Sequence, residues 1–253
     1  MSTPQSVILG IIQGLTEFIP VSSSAHLVLV PDMLKWPQPG VFLDVMLHAG
    51  TLVAAIAYFW KDIIEILTKK HEMIWLLIIG TIPAAAAGIL FKSFFESFFD
   101  KPALAAVFLI ITGALLVAAE AFAKGRKKTK KISLGAAVLI GAFQAVAILP
   151  GISRSGATIS AGMFAGLGRK DATRFAFLLS IPIIAGTTVL KIKDALEASG
   201  GVSAITAAVP GAIAAAVTGV LAIHFLLKYL TKHKLTVFSI YCWLVAGAYL
   251  LTR

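Results

Sequence analysis

The apolar residues of this chain fall in blocks of roughly 18–22, the length that crosses about 30 Å of hydrocarbon as a helix. Six blocks are uninterrupted, at about 42–60, 73–91, 103–123, 172–190, 204–227 and 235–252. Two further apolar stretches are broken by polar turns. The first runs from Val7 to Ile19, breaks at Pro20-Val21-Ser22-Ser23-Ser24 and resumes from Ala25 to Val30. The second runs from Ile132 to Leu149, breaks at Pro150-Gly151-Ile152-Ser153-Arg154-Ser155-Gly156 and resumes to Leu167. A backbone in hydrocarbon must satisfy its own hydrogen bonds, which leaves helices or a closed barrel. Continuous blocks rich in Ala, Leu and Ile select helices. The pattern predicts an all-α, polytopic membrane protein with six transmembrane helices and two re-entrant helical hairpins.

Composition agrees, with 58% hydrophobic and only 13% charged residues, against about 25% charged in a soluble domain. Mean hydropathy is +0.93. Charge then decides the topology. The first arm of the first broken stretch is only about 20 Å of helix, too short to cross; the first arm of the second is long enough, so length leaves it open. If both are hairpins, the loops 61–72, 124–131, 168–171 and 228–234 share one side. That side collects Lys61, Lys69, Lys70, Lys124, Arg126, Lys127, Lys128, Lys130, Lys131, Arg169, Lys170, Lys228, Lys232 and Lys234, with Arg174 just inside the next helix. The other side has only Lys35, Lys92, Lys101, Lys191, Lys193 and Arg253. A crossing at 132–149 would put Arg169, Lys170 and Arg174 opposite Lys124–Lys131. Positive loops stay in the cytoplasm, so both hairpins are re-entrant and both termini face outward. The net charge of +10 is thereby explained by topology, and with no long basic face it does not point to nucleic acid. Cys242 stands alone, which excludes a disulfide or a cysteine metal site. With no Lys or Arg before Lys35, the N-terminus does not read as a signal peptide.

The chain also repeats. A shift of 131 lays Gly10-Ile11-Ile12-Gln13 over Gly141-Ala142-Phe143-Gln144, and Ser22-Ser23-Ser24 over Ser153-Arg154-Ser155. At a shift of 136, Ala49-Gly50-Thr51 matches Ala185-Gly186-Thr187. One membrane domain, 1–253, then divides into halves of about 1–123 and 132–253 joined by the basic loop 124–131. Each half is a hairpin and three spans, an odd number, so the repeat is inverted. Such repeats place a site near the midplane where the two turns meet.

Arg154 lies at a hairpin tip in an apolar setting, where an arginine needs a partner or a wet cavity. It is either a structural arginine paired with Glu17, or a clamp whose planar fork takes two phosphate oxygens. Gln13 and Glu17 are four apart on one helical face. Ser22, Ser23, Ser24 and His26 follow within the same tip, so carboxylate, hydroxyls and imidazole converge. His48 and His224 read as structural, and His71 and His233 as loop residues. Ser22-Ser23-Ser24 and Ser153-Arg154-Ser155 both open helices, where caps and free N–H groups favour an anion.

Gln13-Gly14-Leu15-Thr16-Glu17-Phe18-Ile19-Pro20-Val21-Ser22-Ser23-Ser24-Ala25-His26 resembles the first signature of the undecaprenyl-diphosphate phosphatase family of the bacitracin-resistance type. Pro150-Gly151-Ile152-Ser153-Arg154-Ser155-Gly156-Ala157-Thr158 resembles its second. The resemblance implies removal of the terminal phosphate from undecaprenyl diphosphate, recycling the lipid carrier of cell-wall synthesis and conferring bacitracin resistance. It also implies a divalent cation, Mg²⁺ or Ca²⁺, and a site that opens outward in the cell membrane. On this reading Glu17 is the metal-binding or catalytic carboxylate and Arg154 the diphosphate clamp. Ser153 and Thr158 are phosphate contacts, with Gln13, Ser22, Ser24 and Ser155 lining the substrate. His26 and Ser23 are the candidates for nucleophile or proton transfer, with water as the third. Many members carry Glu where this chain has Gln13, which leaves that role open. A transporter or flippase for an anionic lipid phosphate is the competing reading, since inverted repeats with broken helices also build transporters. The Glu-Ser-His cluster favours hydrolysis, because transport needs no nucleophile. The partners expected are the polyprenyl diphosphate and membrane lipids; the oligomeric state, a homodimer included, stays open.

Cysteines at Ser2 and in loop 194–201 are expected to react with an impermeant thiol reagent outside intact cells. Cysteines at Thr129 and Thr231 are expected to be protected until the membrane is opened. Labelling of Ser2 and Thr129 from the same side would remove the inverted repeat.

Overall fold

In the computed structural model, every described residue-to-residue element is helical, apart from one isolated bridge between Thr129 and Leu167. The description covers all residues except 100, 126, 127, 130, 198–201 and 253, and omits the side chains of 193–197 and 202–204. Arg126, Lys127, Lys130, Arg253, the Lys193 side chain and the 198–201 part of loop 194–201 therefore lie outside the described residues.

The first broken stretch folds as α1 (Thr3–Phe18) and α2 (Ser23–Met33), antiparallel across the turn at 19–22. α1 starts at Ser2, whose N–H donates to Gln5 Oε1 at 2.9 Å, and Pro4 fills a position that needs no N–H. The second broken stretch folds likewise as α7 (Leu134–Val146) and α8 (Arg154–Phe164). All four arms are shorter than the roughly 20 residues a crossing needs.

Between and after them run α3 (Val41–Thr68), α4 (His71–Leu90), the short α5 (Lys92–Glu96), α6 (Pro102–Ala123), α9 (Arg169–Glu197), α10 (Val202–Tyr229) and α11 (Thr236–Leu251). Five of these, α3, α4, α6, α9 and α10, are long and apolar enough to cross a membrane. α11 is equally apolar but only 16 residues long.

Several helices outrun the apolar blocks. α3 continues through Lys61-Asp62-Ile63-Ile64-Glu65 to Thr68, because these residues form helix readily and nothing breaks it before Lys69. Its axis bends at Phe59, whose φ of −98° and ψ of 17° interrupt the helical geometry. The segment with Phe94 and Phe95 forms α5, with Phe94 edge-on to Phe95 and to Phe98 beyond it.

The hairpins are seated by glycine. α1 packs along α10, and α7 along α4. A Cβ on Gly10 would lie 2.1 Å from the Gly211 carbonyl oxygen, and one on Gly141 would lie 2.5 Å from that of Gly80. Only a residue without a side chain lets the backbones approach this closely. Gly80 and Gly211 are related by the same shift of 131 as Gly10 and Gly141. Each hairpin's first arm is thus seated on a glycine in the other half of the chain.

The basic segments gather at one end. Arg169 Nε donates to Glu120 Oε1 at 2.6 Å, and its Nη2 bonds Oε2 of the same carboxylate. The Leu235 N–H reaches Glu120 Oε1 at 2.9 Å. Arg174 pairs with Asp62, and the Thr129 N–H donates to the Gly166 carbonyl at 3.0 Å. These bonds tie the ends of α3, α6, α9 and α11 to loop 124–131.

Gly10→Ala is expected to lower the thermal midpoint in detergent, because forced repacking of a tight contact costs about 1–3 kcal/mol. Gly186→Ala is the matched control, since an added Cβ there meets nothing within 4 Å. Equal midpoints for the two variants would refute the close-packing account.

Candidate active site

The two turns meet. Ser155 Oγ donates to the Ile19 carbonyl at 3.3 Å, and the Gly151 N–H reaches Ser24 Oγ at 3.4 Å. Both turns open helices as their sequences predict. Ser22 Oγ caps α2 by accepting from the Ala25 N–H at 3.3 Å, and Ser153 Oγ caps α8 by accepting from the Gly156 N–H at 3.0 Å. The N–H groups of Ser23, Ser24, Arg154 and Ser155 have no hydrogen-bond partner among the described residues. Two helix N-termini therefore converge with unspent donors, the arrangement that binds anions.

Glu17 lies at the centre. Its Oε1 is 3.3 Å from Arg154 Nη1, so the ion pair joins the two hairpins. Its Oε2 accepts from Ser23 Oγ at 2.5 Å and from Gln13 Nε2 at 3.1 Å. The carboxylate is buried, with 4% of its side chain exposed, while Arg154 keeps 25%. Arg154 Nη1 makes no hydrogen bond of good geometry among the described residues. Its charge is paired, but its fork remains open. Gln13 Oε1 is likewise buried with no partner among the described residues.

His26 faces elsewhere. Its Nδ1 is 2.8 Å from the Ser22 carbonyl, and its Nε2 is 2.8 Å from Tyr241 Oη on α11. The ring stacks on Tyr241 with centroids 5.7 Å apart and planes 10° apart. Both ring nitrogens are engaged away from Ser23, whose hydroxyl goes to Glu17. His48 lies on α3 beside Asp44, its Nδ1 3.5 Å from Asp44 Oδ1. Its Nδ1 faces the Asp44 carbonyl at 2.9 Å.

The remaining predicted contacts divide. Ser22 and Ser24 bond each other at 3.2 Å, as do Ser153 and Ser155 at 3.1 Å. Thr158 is brought near, but its hydroxyl donates back to the Arg154 carbonyl at 2.8 Å.

Two residues absent from the sequence reading hold the turns. Thr112 on α6 donates to the Gly151 carbonyl at 2.9 Å and accepts from the Ser153 N–H at 3.0 Å. Tyr241 holds His26. Neither lies in a motif, and no local pattern distinguishes Thr112 from other hydroxyls on apolar helices.

The residues present bear on a divalent cation through one feature. Gln13 turns its amide nitrogen to the Glu17 carboxylate and leaves its own amide oxygen buried without a partner among the described residues. Two oxygen donors of this kind suit a hard cation only together with phosphate oxygens and water. Among the described residues no group of three His, Cys, Asp or Glu forms a cage of its own.

The family profile described as "Bacitracin resistance protein BacA" matches residues 6–248. The chain is 41% identical over 255 residues to a protein of Moorella thermoacetica named undecaprenyl-diphosphatase, covering 98% of this chain and 96% of that one. It is 44% identical over 244 residues to a protein of that name from Thermodesulfovibrio yellowstonii, covering 96% and 94%. A third, from Pelotomaculum thermopropionicum, is 44% identical over 257 residues, covering 98% and 95%.

Glu17→Gln is expected to lower phosphate release from polyprenyl diphosphate at least 100-fold, since one change removes both the partner of Arg154 and the acceptor of Ser23. Turnover within a few-fold of the parent protein would remove Glu17 from the centre of the site.

Proposed function

The chain belongs to the bacitracin resistance protein BacA family, and we propose that it is an undecaprenyl-diphosphatase acting at the meeting point of its two hairpins. It is a multi-pass, all-α membrane protein. The observation that carries the reading is the open guanidinium fork of Arg154, held 3.3 Å from a buried carboxylate that also accepts from a serine hydroxyl. A structural arginine would spend its donors on the protein. This one keeps them for an anion.

The terminal phosphate sits between Arg154 and the free N–H groups opening α2 and α8. Ser23 Oγ, or a water in its place, attacks the terminal phosphorus while Glu17 Oε2 accepts its proton. The bond from that phosphorus to the bridging oxygen breaks, and polyprenyl monophosphate leaves with the electron pair. If Ser23 attacks, water then hydrolyses the phosphoserine and frees inorganic phosphate. Such transfer is mainly positioning and charge stabilisation, which a fork and two helix N-termini supply. Of the three candidate nucleophiles, the 2.5 Å bond to Glu17 favours Ser23 over His26, whose two nitrogens are both engaged.

Glu17 and Gln13 would hold a Mg²⁺ or Ca²⁺ ion. Bound there, the cation would offset negative charge that Arg154 alone leaves on the diphosphate.

The topology belongs to the same proposal: six spans, the sixth being α11, whose apolar block runs over 235–252 although its helix has 16 residues, two re-entrant hairpins, and halves 1–123 and 132–253 in inverted repeat. Both termini and the site mouth face outward. Its supports are the reciprocal seating of Gly10 on Gly211 and Gly141 on Gly80, the touching tips, and the basic loops tied together at one end. The product, a lipid monophosphate, is the carrier form that cell-wall synthesis reuses. Transport of a lipid phosphate is the weaker reading, because it gives the Ser23–Glu17 bond nothing to do.

Arg154→Lys is expected to lose about 100-fold in phosphate release, the weight of about 3 kcal/mol for a charge-assisted bond, with folding retained. Turnover near the parent rate would refute the clamp. Chelation with EDTA is expected to abolish activity and Mg²⁺ or Ca²⁺ to restore it; full activity in EDTA would refute the cation and leave the clamp standing.

A further inference from the structure

We propose that Tyr241 is a positioning residue of this site, acting through His26 to hold the Ser22–Ser23 backbone in place; the inference rests on the phosphatase reading above. Ser22 has φ 68° and ψ 96°, a conformation that costs a non-glycine residue energy and persists only when its surroundings enforce it. The next residue is Ser23, whose hydroxyl bonds Glu17. Whatever holds Ser22 therefore sets the direction of Ser23.

The Ser22 carbonyl can only accept, so the His26 Nδ1 facing it at 2.8 Å carries the hydrogen. In the neutral ring Nε2 is then an acceptor, and the Tyr241 hydroxyl at 2.8 Å donates to it. The near-parallel stacking of the two rings fixes the plane in which both bonds form. Tyr241 thus selects the tautomer that grips the Ser22 carbonyl, and the chain runs Tyr241, His26, Ser22, Ser23, Glu17. His26 in this arrangement is a strut.

α11 grips the same hairpin at two other points. Cys242 Sγ lies 3.8 Å from the Pro20 carbonyl, and Tyr249 Oη donates to Asp32 Oδ2 at 2.5 Å. The second turn has a counterpart: Thr112 of α6 takes the Gly151 carbonyl, and Gly151 is related to Pro20 by the shift of 131. Each turn is thus latched by a helix from the opposite half. Only the first turn contains a residue with positive φ other than glycine, and only there does the latch act through a histidine.

The test uses the full-length protein in detergent, with phosphate release from polyprenyl diphosphate as the readout. Tyr241→Phe keeps the ring and removes the hydroxyl; kcat is expected to fall about tenfold with KM and thermal midpoint unchanged, the split that marks lost transition-state positioning. His26→Asn keeps an N–H near the place of Nδ1 and is expected to retain measurable turnover. Because the two residues act as one chain, adding Tyr241→Phe to His26→Asn is expected to cost nothing further. Parent-level kcat in Tyr241→Phe, or losses that multiply in the double variant, would overturn the proposal. So would complete inactivity of His26→Asn beside an active Tyr241→Phe, since His26 would then act on substrate directly. Nitrogen-15 spectra of histidine-labelled protein supply a readout independent of turnover. The His26 signal, assigned by its loss in His26→Asn, is expected to report the Nδ1–H tautomer in the parent and a mixture in Tyr241→Phe. An unchanged tautomer would overturn the proposal. Failure of the parent protein to release phosphate would instead strike the phosphatase reading and leave the tautomer result to stand by itself.

Discussion

A buried carboxylate facing a guanidinium across two separate helical hairpins is the constraint around which this protein is arranged. In an apolar interior neither Glu17 nor Arg154 is tolerable alone, and removing one partner of such a pair is far more damaging than the pair's net worth suggests. The charges sit on elements 137 positions apart in the sequence. They can meet only if both hairpin tips enter the helix bundle and touch. The Ser155–Ile19 and Gly151–Ser24 bonds beside the pair are the record of that contact.

Bringing the tips together requires the arms to seat deeply, and this is where the glycines act. Gly10 and Gly141 remove the side chain at the two closest helix approaches, so α1 and α7 lie against α10 and α4 at backbone contact distance. Packing of this kind, with no hydrophobic drive between helices inside lipid, depends on close dispersion contact over small residues. Each of these arms thus packs against a helix far from it in the chain.

The chemistry draws on the same geometry. Pairing Glu17 through one oxygen with Arg154 leaves the other oxygen to Ser23 and Gln13. A carboxylate divided in this way holds the guanidinium through one oxygen and orients the Ser23 hydroxyl through the other. The turn that carries the hydroxyl is strained at Ser22 and is held by α11 through His26. Rigid support behind a reacting group is what keeps it within the narrow geometric range catalysis requires. The opposite end of the bundle, bound by Glu120 and Arg169, serves to tie the basic loops together.

Much of this was legible in the chain alone. Apolar block length and the two polar interruptions are local properties, and they reappear as the long apolar helices and the turns at 19–22 and 147–153. The serine caps and the four-residue spacing of Gln13 and Glu17 are local too, since one helix sets them. The repeat even indicated that Arg154 and Glu17 would be neighbours. Beyond that, the sequence had no means of choosing partners. It brought Ser23 and His26 together in one tip, yet the fold turns Ser23 to Glu17 and His26 to Tyr241, 215 residues away. It gave no sign of Thr112 behind the second turn. Such choices depend on the rotation and depth of helices packed from distant parts of the chain. Those are fixed by the sum of many small contacts, and no single stretch of residues encodes them.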